Sequence, residues 1–102
     1  VYVCTALIEG GPMTTLEALA SGVTVVVPDD VGIHPELPEI PGICRYRTGD
    51  AEDLARTLDD ALATRGTADR EALRAAVGPH SVAAWCEGNR SAFSELLMDG
   101  GR

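Results

Sequence analysis

Aromatic and basic residues are both scarce in this chain. Its 102 residues include one Phe, one Trp and two Tyr. These four, Phe93, Trp85, Tyr2 and Tyr46, are too few and too scattered for a base-stacking platform. Lys and Arg number 8 against 16 Asp and Glu, a formal charge of −8. That balance excludes a broad basic face for nucleic acid or anionic membrane. Any phosphate-bearing ligand has to be held by backbone amides and a few local groups. No apolar run approaches the roughly 20 residues of a membrane-spanning helix, and no signal-peptide pattern opens the chain. The three cysteines, Cys4, Cys44 and Cys86, are widely spaced and include no C-x-x-C. This argues against a disulfide framework and against a zinc knuckle. They are expected to be small buried hydrophobes in a reducing, cytoplasmic setting. Internal repeats and low-complexity segments are absent.

What remains is an ordinary globular composition, 45% hydrophobic and 24% charged, with length for one modest core. Val1-Tyr2-Val3-Cys4 is apolar and β-branched from the first residue. It reads as a buried strand entered from upstream, so the chain is expected to be the C-terminal part of something larger. Ile8-Glu9-Gly10-Gly11-Pro12 is a turn signal, and Pro12 suits the first position of a helix. Residues 13–21 follow as that helix, with Met13, Leu16, Leu19 and Ala20 as its expected inner stripe. Gly22 stands where a helix end wants a left-handed residue. Thr24-Val25-Val26-Val27 is the continuous β-branched run of a strand buried on both faces. Strand, glycine turn, helix and strand make one βαβ unit, which implies a parallel sheet.

Pro28, Pro35, Pro38 and Pro41 make the following segment an irregular, rigid loop, anchored by Ile33, Leu37 and Ile40. Residues 43–48 alternate as a third strand nearer a sheet edge. Asp50 predicts an N-cap, with Glu52 and Asp53 in the first turn where the helix dipole favours acids. Leu54, Leu58, Ala61, Leu62 and Arg65 mark the inner stripe of that helix. Residues 67–77 predict a short helix stopped by Gly78-Pro79. Ser81 caps a last helix to about Leu97, with Val82, Trp85, Cys86, Asn89, Phe93, Leu96 and Leu97 on one face. Trp85 and Phe93 are expected to pack on the domain. Residues 1–97 are expected to form the folded part, and residues 98–102 a loose tail.

The stretch from Glu9 to Gly22 carries the chemistry. Glu9 and Glu17 flank a strand-to-helix turn with adjacent glycines. Glycine there lets the backbone approach a ligand closely and aims free N–H groups outward. A helix N-terminus at the carboxyl end of a parallel strand is where α/β folds bind phosphorylated ligands. Ionised carboxylates on either side accept hydrogen bonds from sugar hydroxyls. Asp29-Asp30 is not expected to hold a metal, because neighbouring aspartates point apart and no third ligand is evident. His34 is expected to be a solvated loop residue. Glu36 fits loop structure or a place near the ligand equally well.

This stretch resembles the Glu-x7-Glu signature of the retaining group 1, family 4-like, glycosyltransferases. The match runs through Glu9, Gly10, Glu17, Ala18, Ala20, Gly22, Val25 and Val26. Thr24 departs from the family's common Pro, and Gly11-Pro12 stands in place of Phe-Gly. The likeness continues through Gly32, Glu36, Gly49-Asp50 and Leu54, covering residues 1–65 well and 66–97 loosely. It implies an α/β fold, part of a Rossmann-like parallel sheet with flanking helices, from the C-terminal domain of a GT-B enzyme. It implies transfer of a sugar from a nucleotide-diphosphate sugar to a hydroxyl acceptor with retention. Glu9 would be the catalytic residue contacting the donor sugar. Gly10, Gly11 and the amides of Met13 and Thr14 would hold the diphosphate, and Glu17 the ribose hydroxyls. Neither metal nor other cofactor is implied, and the acceptor would be held by an N-terminal domain absent here. In the family the last helix often packs towards that other domain, so part of its stripe is expected to be uncovered. The alternative is a non-catalytic module that binds nucleotide or sugar, or serves as an assembly surface.

Overall fold

The structure, a computed structural model, describes residues 1–8 and 13–100, without the side chains of 99 and 100. The elements run β1 (Tyr2–Val3), α1 (Met13–Ala20), β2 (Val25–Pro28), a 3-10 turn (His34–Glu36) and β3 (Ile43–Tyr46). α2 (Ala51–Ala63), α3 (Arg70–Ala75), a second 3-10 turn (Gly78–His80) and α4 (Val82–Gly100) follow. The three strands form one parallel sheet in the order β1-β2-β3. Tyr2 pairs with Val25 and Val3 with Val26, while Val25 to Pro28 pair with Ile43 to Tyr46. The expected parallel βαβ pattern is therefore present, with the valine run central. β1 is shorter and less buried than expected: Val1 is exposed, and Tyr2 and Val3 are half-buried.

Side chains alternate across a strand, and the central strand supplies both faces accordingly. Val25 and Val27 join Cys4, Leu19, Leu37, Ile43, Leu73 and Ala76 on one face, where α1 and α3 pack. Val26 joins Tyr46 and Ala61 on the other, backed by Leu54 and Leu58 of α2. The small sheet is thus covered on both sides by helices.

Local chemistry sets the element ends. Gly22 has φ +74°. Its N–H reaches the Leu19 carbonyl at 2.8 Å, and the Val23 N–H reaches that of Ala18 at 2.9 Å. This pair of bonds is the glycine-terminated helix end. The Asp50 carboxylate accepts from the Asp53 N–H at 2.9 Å and starts α2. Asp69 accepts from Glu71 and Ala72. That cap delays α3 to Arg70, later than the start expected at residue 67. The Ser81 hydroxyl accepts from the Ala84 N–H at 3.0 Å at the head of α4. At Gly42, φ is +97° and an added Cβ would lie 2.9 Å from Ala68 and Leu73 atoms. The chain can make this close approach beside α3 only with glycine.

Several expected inner faces are corrected. In α1 the buried residues are Thr15 and Leu19, whereas Met13 and Ala20 are exposed. In α2 Thr57 and Ala61 are buried, while Leu62 and Arg65 turn outward, because Ala61 lets the helix approach Val26 and Tyr46 closely. Trp85 and Phe93 do not pack on the domain. They are 67% and 62% exposed, Leu96 is exposed to a similar degree, and Val82 and Leu97 are more so. Both sheet faces are already occupied, so α4 extends from the Gly78–His80 turn and leaves its stripe uncovered. The helix also runs past Leu97 to Gly100. Cys4 is buried, but Cys44 is half-buried and Cys86 exposed, so the cysteines are not three equivalent core residues. No helix among the described residues is long and apolar enough to cross a membrane.

Candidate functional site

The short α1 starts from the βαβ geometry. Its C-terminal end lies at the amino edge of the sheet, where Thr24 accepts from the Tyr2 N–H at 2.9 Å. Its other end, Met13 and Thr14, therefore opens at the carboxyl edge. First-turn amides of a helix have no intrahelical acceptor, and the helix dipole puts partial positive charge there. Met13 and Thr14 are exposed at that edge, and Glu17 is exposed about one turn further on. The Thr14 hydroxyl lies 2.7 Å from the Tyr2 hydroxyl, which ties the first turn to β1. Glu9, Gly10 and Gly11 lie outside the described residues, so the expected facing of Glu9 and Glu17 across one cleft concerns a residue beyond them.

Behind the first turn stands a polar contact that sequence reasoning missed. His34 is not a solvated loop residue. It is fully buried, and its Nε2 lies 3.1 Å from the Oγ1 of the equally buried Thr15. Arg45 on β3 donates from Nε and Nη2 to the His34 carbonyl, at 3.2 and 3.0 Å. Its Nη2 also donates to the Leu37 carbonyl. The signals were present but weak. Thr15 precedes Leu19 by one i,i+4 step, and His34 lies three residues from both Val31 and Leu37, which are buried.

The acidic pair at 29–30 has a structural use. Asp29 Oδ1 accepts from the Thr48 N–H at 3.1 Å and from the Thr48 hydroxyl at 2.9 Å. The Thr48 Oγ1 in turn accepts from the Asp30 N–H at 3.1 Å. These donors hold the Asp29 carboxyl below its ordinary value, the Thr48 amide first. Asp53 is likewise held low by the Arg47 amide, at 2.7 Å, and by Arg56. Burial pushes the Cys44 thiol up, with Asp60 adding to it. Among the described residues no three His, Cys, Asp or Glu side chains are grouped to hold a metal ion.

Two depressions bracket the sheet. One, about 260 Å³, lies at the carboxyl edge between Thr5, Leu7, Tyr46, Gly49, Asp50 and Leu54. The other, about 310 Å³, lies at the amino edge against Val1, Gly22, Thr24, Arg65 and Arg70. Helix C-termini face the second one, which disfavours an anion despite the two arginines. Arg70 is also turned to the Ser21 carbonyl, at 3.5 Å. The carboxyl edge is therefore the better candidate for a phosphorylated ligand. Comparison with protein-family models, with curated proteins and with solved structures finds no match to this chain.

Proposed function

We propose that this chain is the donor-binding part of a retaining glycosyltransferase of GT-B architecture, working in the cytoplasm on a nucleotide-diphosphate sugar. The observation that supports the reading most is an exposed Glu17 set just behind the first-turn amides of Met13 and Thr14. They stand at the carboxyl edge of a parallel sheet, within a sequence that resembles the family's Glu-x7-Glu signature. The amides and the helix dipole take phosphate charge, so no metal is required for that task. Glu17 accepts hydrogen bonds from ribose hydroxyls, and Glu9 contacts the sugar in transfer. Charge developing on the leaving diphosphate is stabilised at the helix N-terminus. The acceptor, a sugar or another hydroxyl compound, is held by a separate N-terminal domain.

The test is calorimetric titration of the chain with UDP-, GDP- and ADP-sugars, followed by a transfer assay. One nucleotide series should bind saturably, and Glu17→Ala should weaken it. Absence of binding in every series would overturn the reading. The 102-residue chain should not transfer sugar alone, because holding two substrates together supplies roughly 7–11 kcal/mol in well-oriented cases. A rival reading, a non-catalytic binding or assembly module, is favoured by the exposed Trp85, Phe93, Leu96 and Leu97 of α4. Self-association without nucleotide binding would support it.

A further inference from the structure

α1 has only eight residues, too few to hold itself in water. Its buried contacts are Thr15 and Leu19, one turn apart on one side. Leu19 is at the C-terminal end, beside Gly22. At the N-terminal end, the buried contact is made by Thr15, and it meets His34. An apolar contact is non-directional and leaves a short helix free to roll and slide. A hydrogen bond between two buried groups fixes distance and angle together. His34 is itself held: its carbonyl takes two donors from Arg45, which also reaches the Leu37 carbonyl. Arg45 is fixed in turn by strand register opposite Val27.

We propose that His34 is a positioning residue for the first turn of α1. Arg45 anchors the 3-10 turn to β3, the turn presents the His34 ring, and the ring fixes Thr15. Thr14 and Glu17, on the exposed side of the same two turns, are thereby set in rotation and height relative to the sheet edge. The coupling is reciprocal, so loosening Thr15 also loosens residues 31–37. Its bearing on nucleotide affinity rests on the donor-site reading, but its mechanical content does not.

The experiment is hydrogen exchange on the whole chain, comparing Thr15→Val, which keeps the shape and removes the hydroxyl, with Thr15→Ser, which keeps the hydroxyl. Thr15→Val should speed exchange about tenfold over residues 13–20 and 31–37, with α2 unchanged. Thr15→Ser should restore wild-type rates. Exchange at wild-type rates in Thr15→Val, or equal acceleration in both variants, would overturn the proposal. So would acceleration shared by α2. If Thr15→Val does not fold, His34→Gln against His34→Leu decides in its place, since only the glutamine can meet the Thr15 hydroxyl. Equal exchange in those two also overturns it. In parallel, nucleoside-diphosphate affinity should fall about tenfold in Thr15→Val and recover in Thr15→Ser. Failure of the wild type to bind any nucleotide sinks the donor reading alone, while the exchange result still decides the role of His34.

Discussion

The Tyr46 hydroxyl donates to the Cys4 carbonyl at 2.7 Å, joining residues 42 apart in the chain. Tyr46 ends β3 and Cys4 follows β1, so the bond passes over the carboxyl end of the central strand. It ties together two outer strands that share no ladder. Burial pushes the Tyr46 phenol up, which keeps it a donor throughout the physiological range. Tyr46→Phe leaves the ring in place and removes the hydroxyl. The expected loss is about 0.5–1.5 kcal/mol in denaturant unfolding. A variant as stable as wild type would show that water serves Cys4 equally well.

Two leucines separate core from surface. Leu73 of α3 is 0% exposed and belongs to the cluster with Leu19, Val25 and Ile43. Leu73→Ala should cost about 2–5 kcal/mol, a large part of the stability of a domain this size. Leu97 on α4 is 76% exposed. Leu97→Ala should stay within about 0.5 kcal/mol. Urea titrations of both variants check the contrast, and a large loss at Leu97 would mean that α4 is covered in solution.

Asp29 provides an acid-side test. Its folded carboxyl is held low by the Thr48 amide and hydroxyl. A depressed folded value contributes stability that is fully present above the unfolded value, about pH 4, and is lost as pH falls through the folded one. Asp29→Asn removes that contribution. The melting-temperature gap between wild type and variant should be widest near neutral pH and shrink as pH falls below about 4. A gap that is independent of pH would assign the effect to lost hydrogen bonding alone.

Within the proposed function, the two glutamates divide the work. Glu17 binds the nucleotide, which is similar in ground and transition states. Glu17→Ala in the complete enzyme should therefore mainly raise the donor KM, by roughly 1.5–3 kcal/mol in binding terms. Glu9 meets the sugar, whose charge and shape change along the reaction, so Glu9→Ala should chiefly lower kcat. A nucleoside diphosphate without sugar should feel Glu17→Ala and hardly feel Glu9→Ala. Equal weakening of its binding by both substitutions would sink this division.

Much of the scaffold was legible because it rests on local chemistry. The valine run could only be a strand covered on both faces, and Val25 and Val26 do serve opposite clusters. Asp50 and Ser81 cap helices where their side chains reach backbone amides within three residues. Gly22 ends α1 because its backbone alone tolerates the turn. The likeness of residues 9–22 to a glycosyltransferase signature was equally a property of order along the chain.

Partnership between distant residues was not legible. His34 reads as a loop histidine until Thr15 and Arg45 are brought to it, 19 and 11 residues away. Asp29 reads only as one of two adjacent loop acids until Thr48 supplies two donors. On α4, Trp85 and Phe93 read as packing on the domain with part of the stripe uncovered, and amphipathic spacing alone says only that a face is apolar. Whether that face is covered depends on which sheet surfaces other helices have already taken, and α1, α3 and α2 take both. Periodicity and capping are set by neighbours a turn apart, so sequence determines them. Burial of a polar group is set by contacts across the fold, so only the tertiary structure decides it.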